Sequence, residues 1–178
     1  MNDNQLWNNL KKGDKGALES IYTREVDYLY SYGKKFSNDE HTVLDSIQEL
    51  FIEIWNKRES IGMTDSIRPY LLISLRRKII KSLKVKQRIT SDDDGIPFRS
   101  EEAVESSIIE AETRTEQHVA LQQGMTQLSD RQREAIYLKY YQEKTYEEIC
   151  EIMDISYQSV RNLISQGVKK MRKFMDSG

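Results

Sequence analysis

Apolar side chains recur every three or four positions along most of this chain, the spacing that gathers one face of a helix. In the segment KGALESIYTREVDYLYSYGKKF, Leu18, Ile21, Tyr22, Val26 and Leu29 mark that face, and Asp14 stands before it as a cap. A second helix is predicted from about His41 to Lys57. Leu44, Ile47, Leu50, Phe51, Ile54 and Trp55 form its apolar stripe, with Asp45, Gln48 and Glu49 together on the opposite side. A third opens near Ser66, carries Pro69 in its first turn and runs to about Arg88, with Leu75, Ile79, Ile80 and Leu83 toward the core.

The pattern breaks over residues 89–112. The run Ser91-Asp92-Asp93-Asp94-Gly95, followed by Pro97, disfavours helix and strand alike, and the stretch reads as a linker whose later part, from Glu101, is helical again. Periodicity returns over residues 113–176. Ser129-Asp130-Arg131-Gln132 and Thr145-Tyr146-Glu147-Glu148 are capping-box patterns that start two helices, and Ser156 starts another. The expectation is an all-α chain of two small helical domains joined by an acidic linker.

Composition agrees: 2 Pro and 8 Gly are too few for many short strands. Charge changes the picture more. The formal net charge of -2 hides an asymmetry. Residues 1–88 carry 16 Lys/Arg against 12 Asp/Glu, residues 89–112 carry 1 against 8, and residues 113–178 carry 10 against 9. The single cysteine, Cys150, permits no intrachain disulfide and fits a reducing compartment. The N-terminal residues lack the apolar run of a signal peptide, and no stretch approaches a membrane span, so a cytoplasmic protein with no direct membrane insertion is expected.

Two constellations point to nucleic acid. TYEEICEIMDISYQSVRNLISQGVKKMRK has the form of a helix-turn-helix. Ile149, Cys150 and Met153 face inward on its first helix. Asp154 takes a turn position where Gly is common, and Asp tolerates unusual backbone angles. On the second helix Val160, Leu163, Ile164 and Val168 face inward, leaving Tyr157, Gln158, Arg161, Asn162 and Ser165 outward. A helix in this setting lies in the major groove, where Gln and Asn pair with adenine and Arg with guanine. Lys169, Lys170, Arg172 and Lys173 suit phosphate contacts. The other constellation is Arg76, Arg77, Lys78, Lys81, Lys84, Lys86 and Arg88, basic residues with no acid among them. Such a run repels itself unless an anionic partner relieves it.

The ordered combination resembles the extracytoplasmic-function (ECF) group of the sigma-70 family. It comprises an amphipathic DxxQExFxxxW helix, a basic helix after Tyr70-Leu71-Leu72, a variable linker, and a helix-turn-helix introduced by LSDRQREAIYLKYY. The wording YEEICEIMDISYQSVRN is similar to members from Bacteroidetes. The resemblance implies an alternative sigma factor that directs core RNA polymerase to promoter DNA. Residues 4–88 would be the region 2-like domain, residues 89–112 a linker threading the polymerase cleft, and residues 113–176 the region 4-like domain, which also touches the polymerase flap. It assigns Asp45, Gln48 and Glu49 to polymerase binding, with Phe51 and Trp55 as core supports. Arg76, Arg77, Lys78, Lys81, Lys84 and Arg88 fall to recognition and melting of the minus-ten element. Tyr157, Gln158, Ser159, Arg161, Asn162 and Ser165 fall to the minus-thirty-five element. A separate anti-sigma factor is a family expectation. The melting helix departs from the family pattern: Arg77 stands where Asn is usual, Lys81 where Asp is usual and Lys84 where Arg is usual.

Other readings are weaker. No Gly-rich phosphate loop is present, and the only histidines, His41 and His118, have no neighbours that suggest a metal or nucleophile site, so no enzyme, cofactor or metal is expected. A stand-alone helix-turn-helix regulator leaves the basic run of the first half unexplained, and a protein-binding helical adaptor leaves both basic clusters so.

Overall fold

In the computed structural model, residues 2–87, 95–100 and 116–176 are described. Among them every regular element is helical. The chain divides into two compact units, Met1–Thr90 and Ser91–Gly178.

The first unit holds α1 (Asp3–Lys11), α2 (Lys15–Lys34), α3 (Glu40–Lys57) and α4 (Ile67–Gln87). Local sequence starts these helices. Asp14 accepts from the Gly16 and Ala17 amides, and Asp39 from that of Thr42, satisfying donors that a helix start leaves open. Helices α2, α3 and α4 pack on one another, and α1 closes against α2. Trp7, Leu10, Ile21, Leu29, Tyr32, Val43, Ile47, Leu50, Leu71, Leu75 and Ile79 are buried between them. Where α2 approaches its neighbours it carries Gly33, whose added Cβ would lie 2.6 Å from Val43 Cγ1 and 3.2 Å from Ile79 Cδ1.

Periodicity misassigned some positions of this unit. Tyr22, expected in the core of α2, is 40% exposed and sets its ring edge-on to Phe51. Its place inside goes to Glu25, only 2% exposed, whose carboxylate accepts from Arg24 Nε at 2.7 Å and Arg68 Nε at 2.6 Å. Arg68 in turn lies 4.1 Å over the Tyr28 ring. Leu44, expected in the apolar stripe of α3, is exposed. Trp55 is half-buried, with the Arg58 guanidinium 4.5 Å over its ring, whereas Phe51 is buried as expected.

The second unit holds α5 (Glu116–Thr126), α6 (Asp130–Ile136), a π-helical turn (Tyr137–Tyr141), α7 (Tyr146–Met153) and α8 (Tyr157–Asp176). Capping boxes at Ser129–Gln132 and Thr145–Glu148 are both formed. Helix α8 packs on α5, α6 and α7. Gly167 allows its close approach to α6, for a Cβ there would lie 2.5 Å from Ile136 Cδ1. Met125, Leu128, Ile136 and Met171 form a core cluster, with Leu121 and Val168 packed on it.

Most of the expected linker, including the helix expected from Glu101, lies outside the described residues. Residues 95–100 are described, and two of them depart from a solvated tether. Ile96 and Phe98 are buried; the Phe98 amide donates to Asp130 Oδ1 at 3.0 Å, and its ring meets that of Tyr137 at 5.6 Å. This short apolar segment therefore docks on the start of α6 and the π-helical turn.

Candidate nucleic-acid interface

Helix α3 presents Asp45, Gln48 and Glu49 to solvent on the side away from its core face. The other carboxylates of α3 are occupied: Glu40 accepts from Tyr30 Oη, and Glu53 pairs with Lys57 and Lys78, each at 2.6 Å. Among the described residues neither Asp45 nor Glu49 has a salt bridge.

The basic run of α4 is less uniform than its sequence. Arg76 is 3% exposed, enclosed in the unit, which removes it from any surface that could meet DNA. Its position aligns with the buried Leu72, Ile79, Ile80 and Leu83 side of the helix rather than with the outer side. Arg77 and Lys81 are exposed, and Lys84 is half-buried. Lys78 is held by Glu53, while Lys86 reaches Asp39 Oδ2 at 2.9 Å and Thr42 Oγ1 at 2.6 Å. Arg88 lies outside the described residues. Self-repulsion is thus relieved partly from within, by Glu53 of α3 and by Asp39, which caps it. Hydrogen bonds from Lys57 and then Lys78 hold the Glu53 carboxyl down to about 2. The Thr42 hydroxyl and then Lys86 hold that of Asp39 well below the usual carboxylate range.

In the second unit the predicted helix-turn-helix is formed by α7 and α8. Asp154 ends α7 in the left-handed region, φ 54° and ψ 50°, with its amide donating to the Cys150 carbonyl. The Ser159 amide then donates to Ser156 Oγ at 3.1 Å, opening α8. Ile149, Met153, Val160 and Ile164 are buried as expected. Leu163 and Cys150 are half-buried, and Ile152, absent from the expected face, is buried instead. Burial, then Glu147, pushes the Cys150 thiol up.

Tyr157, Gln158, Arg161, Asn162 and Ser165 all face solvent on the first three turns of α8. Gln158 Nε2 donates to Asn162 Oδ1 at 2.9 Å, so these amides preorganise one another. Ser159 is half-buried and its hydroxyl lies 2.8 Å from that of Ser156, which makes it part of the cap rather than of the outward face. Lys169, Arg172 and Lys173 are exposed further along, while Lys170 Nζ donates to Gln132 Oε1 at 3.2 Å.

Sequence reasoning missed the support beneath Tyr157. The Tyr146 ring lies 5.6 Å from that of Tyr157, and Lys139 Nζ stands 5.0 Å over Tyr146. The signal was available: each of the two caps, Thr145 and Ser156, is followed directly by a tyrosine. Also unforeseen is a groove of about 670 Å³ lined chiefly by Leu121, Met125, Tyr140, Val168, Met171 and Met175. Among the described residues no group of His, Cys, Asp and Glu is arranged to hold a metal, and no helix is long and apolar enough to cross a membrane. His41 is exposed in the first turn of α3; the His118 side chain lies outside the described residues.

Known proteins share this organisation. The family model for Sigma-70 region 2 matches residues 21–89, and that for Sigma-70, region 4, matches residues 118–171. The ECF RNA polymerase sigma factor SigM of Bacillus subtilis (strain 168) is 25% identical over 163 residues, covering 91% of this chain and 97% of the relative. SigW of the same strain is 25% identical over 171 residues, covering 92% and 91%. In fold, the chain is similar to CnrH solved in complex with the cytosolic domain of CnrY, with a TM-score of 0.66 at 16% identity, over 98% of this chain and 97% of that one. It is likewise similar to RpoE of Bartonella quintana solved with the anti-sigma factor NepR, with a TM-score of 0.62 at 18% identity, over 89% and 96%.

Proposed function

Because this chain belongs to the ECF group of the sigma-70 family, we propose that its two units divide promoter recognition between them while mounted on core RNA polymerase. It is an alternative sigma factor, a transcription initiation factor and not an enzyme, and its partners are core polymerase and promoter DNA. The match to region 2 and then region 4, on two separately cored units, carries this reading.

Within it, the roles follow the resemblance and, for the described residues, the exposure of the side chains. Asp45, Gln48 and Glu49 bind polymerase, since they are exposed and, among the described residues, neither acid has a salt bridge. Arg77 and Lys81, with Lys78, Lys84 and Arg88 beside them, meet the minus-ten element. Their positive charge draws the DNA backbone, and Arg77 offers a planar donor array to an unpaired base. Tyr157, Gln158, Arg161, Asn162 and Ser165 read the minus-thirty-five element, Ser159 serving through the cap. Lys169, Arg172 and Lys173 contact phosphate, which sets affinity rather than sequence. Residues 4–88 and 113–176 are the working domains, and the acidic stretch of 89–112 occupies a basic channel of the polymerase.

A separate anti-sigma factor restrains the protein, by extension from the solved complex of RpoE with NepR, and its site of action is the cytoplasm. The likeness to Bacteroidetes members rests on sequence wording alone. The matches favour the sigma reading over a stand-alone regulator.

The test is transcription in vitro with purified core polymerase and a promoter template. Specific initiated transcripts are expected. Charge reversal of Asp45 and Glu49 should weaken holoenzyme assembly with the fold intact, and Arg161→Ala should change the choice of upstream element by roughly 1–3 kcal/mol at one base pair. Sequence-specific DNA binding in the absence of polymerase, with no transcripts in its presence, would instead make this a regulator.

A further inference from the structure

The outward face of α3 is not uniformly polar. Ile52 stands on it at 59% exposure. At about 100° per residue, positions 45, 48, 49 and 52 fall on one stripe, with 52 near its middle rather than at its border with the core. Leu44 flanks the stripe at 38% exposure. On the side of Leu44 lies Phe51, covered edge-on at 5.0 Å by the part-exposed ring of Tyr22 from α2.

An exposed aliphatic side chain by itself is ordinary. Its setting is what separates this one. Among the described residues Asp45 and Glu49 beside it have no salt bridge, whereas Glu53, on the next turn, has two cations of its own. An apolar centre with an unneutralised acidic rim is the anatomy of a surface that meets another protein. It also selects the occupant. A second copy joined through this face by two-fold symmetry would set Asp45 and Glu49 near their own counterparts, which repel. A partner with a cationic rim around an apolar recess satisfies both components.

We propose that Ile52 is the apolar anchor of the surface by which this chain holds core polymerase, seated in a recess of the polymerase whose rim is basic. The inference rests on assigning Asp45, Gln48 and Glu49 to polymerase binding. Those polar groups steer and orient the encounter, and Ile52 slows dissociation once docked. A β-branched side chain suits the role, because it has little rotamer freedom to lose when fixed.

The experiment measures holoenzyme assembly of the full-length labelled chain with core polymerase by fluorescence anisotropy, at low and at high ionic strength. Ile52→Ala should raise Kd about tenfold, chiefly through faster dissociation, by nearly the same factor at both salt concentrations. Ile52→Met should recover most of the affinity. Asp45→Lys with Glu49→Lys should weaken assembly by a factor that shrinks as salt rises. The melting temperature of Ile52→Ala should equal that of wild type, since the side chain is outside the core. If Ile52→Ala binds like wild type while the charge variant fails, the anchor is wrong and the polymerase assignment stands. Wild-type binding by all variants would remove both. Self-association of the chain that Ile52→Ala abolishes would give the face to a second copy and overturn the proposal.

Discussion

Single residues carry several of the constraints that make these units fold. Gly33 is set by space: an alanine Cβ would press on Val43 Cγ1, and Val43 has one stiff torsion with which to withdraw. Overpacking of this kind costs about 1–3 kcal/mol, against a helix-propensity gain of up to about 1 kcal/mol. Gly33→Ala should therefore destabilise the first unit by about 1 kcal/mol in chemical denaturation; an unchanged midpoint would show that the helices part without strain. Asp154 has the opposite status. It holds a left-handed backbone at the exit of α7 and puts a negative charge where the helix end is already negative. Asp154→Gly should raise stability by about 0.5 kcal/mol after the added freedom of the unfolded chain is counted, and promoter selection should be unaltered. Arg76 shows what a residue-by-residue reading of charge overlooks, because the same side chain type serves inside this unit and on its surface.

Between elements, the decisive pairs are far apart in sequence. Lys78 reaches Glu53, Lys86 reaches Asp39, and Arg68 reaches the buried Glu25. The α3–α4 pairs have a definite pH signature. The Glu53 carboxyl is held down to about 2 in the folded chain, below its ordinary value near 4.5. Its contribution is complete above the ordinary value and is lost as pH falls from there toward about 2. The side chain is 43% exposed, so solvent screening keeps the effect below about 1 kcal/mol. Wild type and Glu53→Gln should differ in denaturation midpoint at neutral pH and converge as pH approaches 2; a difference that persists in acid would assign the effect to packing. None of these pairs was legible in the sequence, since periodicity reports a face and not what the face meets. The helix starts were legible, because Asp14, Ser129, Thr145 and Ser156 act on amides within three residues of themselves.

At the scale of the whole molecule, the outward set on α8 was foreseen correctly because a face of period 3.6 sorts polar from apolar without help from elsewhere. The docking of Ile96 and Phe98 was not, for a brief apolar run inside a stretch dominated by acids leaves no periodic trace. That acidic stretch also bears on selectivity. Two modestly cationic ends joined by a net negative middle should bind random DNA weakly. Replacing Asp92, Asp93 and Asp94 by Asn should tighten binding of the free protein to non-promoter duplex several-fold at low salt, measured by anisotropy, with the difference fading as salt rises. Equal affinities at every salt concentration would show that the middle segment does not screen the ends.

The lysines of α4 that already face carboxylates alter how ion exchange with DNA is counted. A phosphate that captures Lys86 leaves Asp39 behind as a fresh anion at the same place, and one that captures Lys78 leaves Glu53 with Lys57 as its one remaining cation among the described residues. The duplex then gains little neutralisation, and few of its condensed cations depart. The slope of log affinity against log salt should accordingly fall short of the number of basic residues on that helix, with Lys78 and Lys86 dropping out of the stoichiometry.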